Sequence, residues 1–227
     1  MISTLGPTLR PSTVTRPVEA ALQTCSPAAH GQPKRCLDVL VALVLLVVAS
    51  PLLVAVALVV AATSDGPVLF RQERVGVDGR RFTLWKFRTM HVSGVPDRSA
   101  LRSDRSDRGP LFKMADDPRV TGVGRVLRRH SIDELPQLWN VLRGDMSLVG
   151  PRPALPDEVA CYDDLARRRL LVKPGLTGPW QVGGRSDLSW RQGLELDLHY
   201  VDHACLRYDL RVLLATVRVV LRPVGAY

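Results

Sequence analysis

The sequence predicts an α+β fold, mostly helical, in which an N-terminal re-entrant membrane helix, a β-hairpin and amphipathic interfacial helices surround a candidate active site on the cytosolic face. Three features favour this class: an apolar run at residues 36–62, alternating residues on either side of Asp78-Gly79, and regularly spaced arginines over 206–222. The predicted segments are a disordered N-terminal tail (1–33), the membrane helix (34–63) and a cytosolic-face domain (64–227).

The composition limits the partners that this chain can have. It has 227 residues, 46% of them hydrophobic, which is enough to bury a core. A formal net charge of +9 favours anionic partners: nucleic acid, anionic lipid head groups or phosphorylated substrates. Only 5% of the residues are aromatic, so platforms for stacking bases are scarce and we expect no nucleic-acid partner.

The first two predicted segments differ sharply in composition. Residues 1–33 are rich in Pro, Ser, Thr and Ala and have no hydrophobic period, which is typical of a disordered tail. Residues 36–62 are nearly all Leu, Val or Ala, with the single charge of Asp38, and this run is long enough to span a bilayer. Basic residues flank the run on both sides, whereas a spanning helix has its basic bias on one side. The flanking residues are Lys34, Arg35, Arg71, Arg74, Arg80 and Arg81.

Ser50-Pro51 interrupts the apolar run near its middle. Proline removes one helical hydrogen bond and frees the carbonyl of Val47, which the Ser50 hydroxyl is placed to satisfy. The arms on either side measure roughly 22 and 18 Å at 1.5 Å per residue, and neither crosses a hydrocarbon core of about 30 Å. An ordinary kinked transmembrane helix remains the alternative, and the two-sided basic flanks favour the re-entrant helix.

Two further elements follow from periodicity. In residues 67–90, Val68, Phe70, Phe82 and Leu84 alternate with polar neighbours around the turn signal Asp78-Gly79, which predicts a β-hairpin. Over 206–222 a helix is predicted with its arginines on one face. This helix is either a core helix with a solvated basic face or a helix at an anionic membrane surface. The arginines of that face are Arg207, Arg211, Arg218 and Arg222.

Adjacent carboxylates at Asp133 and Glu134 are the first candidates for chemistry. Ser131 and Glu134 have the spacing of a capping box, and alternatively a helix begins at Pro136. Either arrangement puts both acids at a helix N-terminus, which favours negative charge. Acids at such positions often only cap a helix, so this stretch alone leaves capping and catalysis open.

Basic residues recur beside glycine and proline around these acids, and this recurrence predicts a phosphate-binding site. Arg152 stands between two prolines that restrict its backbone, and Arg128 precedes the acids. Lys86 and Arg88 leave the end of the hairpin, and Lys173 and Arg185 belong to a Gly/Pro-rich loop.

Four motifs resemble the bacterial sugar transferase family, the monotopic phosphoglycosyl transferases also called polyprenyl-phosphate glycosylphosphotransferases. They are KFRTM (86–90), DDPRVTGVGRVLRRHSIDELPQLWNVLRGDMSLVGPRP (116–153), KPGLTGPWQVGGRSD (173–187) and LELDLHYV (194–201). The resemblance covers residues 34–227 and is to the short form of the family. It leaves the first 33 residues and the irregular loop at 91–109 without a counterpart.

The resemblance implies specific roles. It implies a membrane helix broken at Ser50 and Pro51, a catalytic pair Asp133 and Glu134, and Mg²⁺ held by Glu134. It also implies functional basic residues at Lys86, Arg128, Arg152 and Arg185. We expect Arg88 and Gln181 to bind substrate as well.

The expected reaction transfers a sugar 1-phosphate from a UDP-sugar to polyprenyl (undecaprenyl) phosphate through an aspartyl-phosphosugar intermediate, releasing UMP. This would be the first membrane step of exopolysaccharide or other glycoconjugate synthesis. It places a monotopic catalytic domain on the cytoplasmic face of the bacterial inner membrane, in contact with its lipid. The alternatives are a membrane-tethered basic module that binds nucleic acid or anionic lipid, and a glycosyltransferase that releases UDP. The sugar and the oligomeric state stay open.

Overall fold

The computed structural model describes residues 31–91, 117–184 and 188–221. Most of the predicted tail and of the loop at 91–109 lie outside these residues, as do Arg185 and Arg222. Within the described ranges the chain is mostly helical, with two small sheets, which agrees with the predicted class.

The α-helices are α1 (Gln32–Thr63), α2 (Gly122–Arg129), α3 (Leu138–Arg143), α4 (Pro156–Ala160), α5 (Asp164–Arg167), α6 (Pro179–Gly183), α7 (Trp190–His203) and α8 (Leu206–Leu221). The strands are β1 (Leu69–Val75), β2 (Arg81–Phe87), β3 (Ser147–Val149) and β4 (Gly175–Thr177). β1 and β2 form an antiparallel hairpin, and β3 and β4 pair in parallel.

Helix α1 is a single 32-residue element that continues through Pro51. The Ser50 hydroxyl donates to the carbonyl oxygen of Val47 at 2.8 Å, so the group freed by the proline has the partner predicted for it. Along the middle of the helix the side chains are largely exposed, as at Val48 (72%) and Leu58 (67%). By length and composition α1 is able to cross a membrane.

The predicted hairpin is confirmed. Its register pairs Leu69 with Phe87 and Val75 with Arg81. At the turn, Asp78 and Gly79 have φ angles of 55° and 76°, both in the left-handed region that tight hairpin turns require.

The main core lies where α3, α7 and α8 pack around the short parallel sheet and the first half of α1. Ala42 of α1 is fully buried there, in the same core cluster as Leu138 and Tyr208. A polar network ties the start of α1 to this core, because Lys34 Nζ lies 2.5 Å from Asp209 Oδ2 and Tyr200 donates to Asp209 Oδ1 at 2.7 Å.

Helix α8 matches the element predicted over 206–222. Its described arginines are all exposed, which confirms the basic face. Tyr208 and Val212 pack inward on the other side. An exposed apolar row runs beside the basic face and consists of Leu206, Leu210, Leu214, Val217 and Leu221. The helix therefore offers solvent both charge and apolar area, as an amphipathic interfacial helix does.

Candidate active site

Asp133 and Glu134 lie in a 3₁₀ turn, Ile132–Gln137, between α2 and α3. Ser131 enters this turn with a left-handed φ of 55°. Its side chain does not cap the turn, so the predicted capping box is wrong. The alternative, a helix beginning at Pro136, is also wrong, because α3 begins at Leu138. Proline supplies no backbone N–H, so the α-helical ladder is not formed across this turn.

The turn packs against β2, and this contact brings the acids together with two cations. Lys86 projects from β2 and Arg128 from the last turn of α2. Arg128 Nε donates to Thr89 Oγ1 at 2.9 Å, which fixes its guanidinium beside the end of the hairpin. We call Lys86, Arg128, Asp133 and Glu134 the acid–base cluster.

Asp133 is buried, with 5% of its surface exposed. Burial and the negative charge of Glu134 raise the pKa of Asp133 to about 6, against the lowering effect of Lys86 and Arg128. Burial lowers the pKa of Lys86, and the two acids oppose that change. Burial likewise lowers the pKa of Arg128. At neutral pH, Asp133 is therefore a desolvated but mostly ionised carboxylate between two cations.

Arg74 is a member of this neighbourhood that the sequence reasoning did not select. It is 7% exposed, and its charge contributes to the lowered pKa of Lys86. Gln72 and Arg74 alternate along β1, and the register places Lys86 opposite Phe70 on the same face. The pairing register of the hairpin therefore predicts that Arg74 lies on the same face as Lys86.

Arg152 lies on a short connection, residues 151–154, that we call the Arg152 loop. The loop joins β1 where Val75 and Ala154 form a β-bridge. Among the described residues the Arg152 guanidinium makes one hydrogen bond, at 3.5 Å to Glu158 Oε2. Within the described ranges no hydrogen bond or ion pair joins this guanidinium to the acid–base cluster. Arg74, which donates to Pro153 O and whose charge acts on Lys86, links the loop to the cluster.

Arg88 follows the end of β2 at Phe87, and its side chain contacts the end of α1 instead of the acid–base cluster. Its buried guanidinium donates to backbone oxygens at the end of α1, including Ser64 O at 2.6 Å and Val60 O at 3.3 Å. Gln181 lies on α6 with its side-chain oxygen close to Gly178. These contacts do not join either residue to the acid–base cluster, and Arg185 lies outside the described residues. Their substrate-binding roles stay predictions.

The acid pair suits a magnesium ion in its donor chemistry. Mg²⁺ in enzyme sites is commonly held by one or two carboxylates, with waters and substrate phosphates completing the shell. Glu134 is half-buried beside Asp133 and supplies such an oxygen donor. In the described part of the chain, no three His, Cys, Asp or Glu side chains are grouped closely enough to hold a metal by themselves. A site here would thus need oxygens from the substrate.

A long, exposed apolar helix suggests membrane association, and a buried, cation-flanked carboxylate with a raised pKa is a candidate catalytic group. Residues 29–223 match the family model described as bacterial sugar transferase. The chain belongs to the bacterial sugar transferase family.

Three relatives illustrate this membership. The chain is 42% identical over 205 residues to exopolysaccharide production protein ExoY of Sinorhizobium fredii (strain NBRC 101917 / NGR234), covering 87% of this chain and 89% of that protein. It is 42% identical over 199 residues to undecaprenyl-phosphate galactose phosphotransferase of Salmonella typhimurium, covering 86% and 41%. It is 41% identical over 198 residues to UDP-galactose-lipid carrier transferase of Erwinia amylovora, covering 86% and 41%. The chain thus spans less than half the length of the last two.

Proposed function

We propose that this protein transfers a sugar 1-phosphate from a UDP-sugar to a polyprenyl phosphate, such as undecaprenyl phosphate, and releases UMP. The observation that carries the proposal is Asp133, a buried carboxylate with a pKa raised to about 6 by burial and by Glu134, held between Lys86 and Arg128. The names of the Salmonella and Erwinia relatives support a lipid-linked acceptor and a UDP-sugar donor.

In the first step, a carboxylate oxygen of Asp133 attacks the β-phosphorus of the UDP-sugar. The new bond joins that oxygen to phosphorus, and the bond from phosphorus to the bridging oxygen breaks, so that UMP leaves with the electron pair. Lys86 and Arg128 stabilise the charge that develops on the phosphoryl oxygens. Partial desolvation strengthens these interactions, and the pKa near 6 keeps Asp133 mostly ionised at neutral pH.

In the second step, a phosphate oxygen of the polyprenyl phosphate attacks the phosphorus of the aspartyl-phosphosugar. The acyl phosphate bond breaks, Asp133 is regenerated as a carboxylate, and polyprenyl-diphospho-sugar is the product. When bound, Mg²⁺ would supply positive charge opposite the diphosphate, with Glu134 as its carboxylate ligand.

We further propose that α1 is re-entrant, so that the catalytic domain lies on the cytoplasmic face of the membrane. Both ends of the helix are tied to the same domain. Its first turn is held by the ion pair of Lys34 with Asp209 at 2.5 Å, and its last turn by Arg88 donating to Val60 O and Ser64 O. Pro51 lies between these two attachments. A domain that contacts both ends of the helix supports entry and exit on one side.

The covalent step is tested by mass spectrometry of the enzyme after incubation with a UDP-sugar and Mg²⁺ but no polyprenyl phosphate. The expected result is a gain of one sugar phosphate on Asp133 and release of at most about one equivalent of UMP. Asp133→Asn removes the adduct because an amide is a poor nucleophile, whereas Glu134→Gln still forms it at a lower rate.

Three outcomes contradict the proposal. An adduct mapped to another residue reassigns the nucleophile, and full turnover by Asp133→Asn excludes a covalent role for it. Release of UDP in place of UMP makes the protein a glycosyltransferase. If the protein instead binds nucleic acid with a steep salt dependence and processes no UDP-sugar, it is a basic binding module.

A further inference from the structure

The backbone of the Arg152 loop is held at every carbonyl. Each of its four carbonyl oxygens, from Pro151 to Ala154, accepts a hydrogen bond from a different residue, and two of these residues are neighbours on β1. The donors, in order, are Gly175 N at 2.9 Å, Arg169 Nη2 at 3.2 Å, Arg74 Nη1 at 2.9 Å and Val75 N at 2.9 Å. Two of these donors are buried arginine side chains, and a short connection does not need charged groups for its own stability.

The first of them, Arg169, is itself immobilised. It is 4% exposed, and its Nε and Nη2 lie 2.9 and 2.8 Å from one carboxylate oxygen of Asp197. Its Nη1 donates to the hydroxyl of Tyr162. Its guanidinium carbon also lies 5.5 to 5.7 Å from the ring centroids of three aromatic residues, Tyr162, Trp180 and Trp190. Asp197 offsets the cost of burying this charge, and the rings fix the plane in which the guanidinium lies.

The second, Arg74, connects the loop to the acid–base cluster. Its Nη1 holds Pro153 O, and its Nη2 donates to Gln72 Oε1 at 2.6 Å, so the side chain is fixed along β1. Its charge reaches Lys86, whose pKa it helps to lower after the larger effect of burial. One side chain therefore sets the position of the loop relative to the strand that carries Lys86.

Whereas the backbone carbonyl of Arg152 is held by Arg169, the Arg152 side chain makes one long contact within the described part of the chain, with Glu158. It is half-buried, and its guanidinium has five N–H donors in a planar fork. The long contact with Glu158, which is itself held by Leu155 N at 2.9 Å, occupies one side of that fork. A rigid backbone with a guanidinium that keeps donors for a ligand is a preorganised anion-binding group.

We propose that Arg169 and Arg74 are positioning residues for Arg152, clamping its loop by the backbone so that the guanidinium meets a phosphate of the donor substrate. The inference rests on the proposed function, because it takes the UDP-sugar diphosphate as the ligand of Arg152. In this proposal Arg169 acts through the loop alone, whereas Arg74 holds the loop and also carries a charge that acts on Lys86 and that Arg74→Lys retains.

A double-mutant cycle tests this coupling. Arg169→Lys keeps the positive charge beside Asp197 but loses the fork that reaches both Asp197 and Arg152 O. We expect it to lower kcat/KM for the UDP-sugar about tenfold or more in the wild-type background, since misplacement by about 1 Å costs up to ~10²-fold. In the Arg152→Ala background the same change should cost less than twofold. An equal loss in both backgrounds overturns the proposal.

Two further variants keep the test decisive. Arg74→Lys should likewise lower kcat/KM in the wild-type background and change it little in the Arg152→Ala background. If the thermal unfolding midpoint shows that Arg169→Lys does not fold, the test rests on Arg74→Lys alone. Arg168→Lys is the matched control, because Arg168 is an exposed neighbour that pairs with Asp202 at the surface. It should leave kcat/KM unchanged.

The kinetics follow consumption of the UDP-sugar, whichever product forms. Release of UDP, or absence of an adduct, therefore rejects the proposed function, and the coupling between Arg169 and Arg152 is judged separately from the double-mutant cycle. Additive losses in an enzyme that forms the adduct reject the positioning role alone.

Discussion

The rate of adduct formation should follow the ionisation of Asp133 and have its midpoint near pH 6. The protonated acid is not a nucleophile, and burial together with the charge of Glu134 raises the pKa of Asp133 to about 6. About ten in eleven molecules are then ionised at pH 7 and about one in eleven at pH 5, so the rate falls roughly tenfold between them. A carboxyl with an ordinary pKa would lose only about a tenth of its rate over that range.

The neighbouring charges should move this midpoint in opposite directions. Lys86→Met removes a cation that lowers the pKa of Asp133, so the midpoint should move to higher pH. Glu134→Gln removes the anion that raises this pKa, so the midpoint should move to lower pH. A close charge changes a carboxyl pKa by about one to three units. At pH 6 this should slow Lys86→Met about fivefold or more through lost ionisation, whereas Glu134→Gln can gain at most about twofold, because about half of Asp133 is already ionised there. Lys86→Arg is the control, because it keeps the charge.

The assay is a single-turnover experiment without acceptor, quenched at set times and read by intact-protein mass spectrometry from pH 5 to 9 at constant ionic strength. The midpoint of each profile, and not its plateau, is the quantity compared. A wild-type midpoint near pH 4, or movement of both variants in the same direction, would refute the assigned charge environment of Asp133.

The other predictions concern the phosphate ligand, the topology and the substrate. Arg152→Ala should lower activity about ten- to a hundredfold, which corresponds to the loss of a charge-assisted hydrogen bond of roughly 1.5–3 kcal/mol. Arg80→Ala, on the exposed hairpin turn, should change activity little. Equally small losses for both variants would remove Arg152 from the site. Single cysteines at Gln32 and Asp65, in a background without the native cysteines, should both resist an impermeant thiol reagent in intact cells and react after lysis, and labelling of one end before lysis would show that α1 spans the membrane. A panel of UDP-sugars should give UMP release with one sugar strongly preferred, and UMP release from none would contradict the donor class.

Several elements could be predicted because their signals are local. The apolar run predicted a long helix to within two residues of the observed Gln32–Thr63, since hydropathy depends on the segment alone. The hairpin turn at Asp78-Gly79 follows from the left-handed φ angles that these residue types tolerate. The hydrogen bond from Ser50 to Val47 follows from what proline removes.

The local signal misled where tertiary contacts decided the structure. The Ser131–Glu134 spacing predicted a capping box, and the chain instead forms a 3₁₀ turn that packs on β2. Arg88 lies two residues from Lys86, but its guanidinium turns to the carbonyls at the end of α1 because those unpaired groups need donors. Spacing along the chain does not show which of two nearby cations meets an acid.

Residue types, hydropathy and motif spacing were enough to predict the candidate site residues, the long apolar helix, the hairpin and the family. They did not show that Asp133 is buried with Lys86 and Arg128 nearby, or that Arg74 and Arg169 donate to carbonyls of the Arg152 loop. The physical reason is that a pKa and a hydrogen bond depend on desolvation and on atoms a few ångströms apart. In this chain those atoms come from elements separated by tens of residues, and packing alone brings them together.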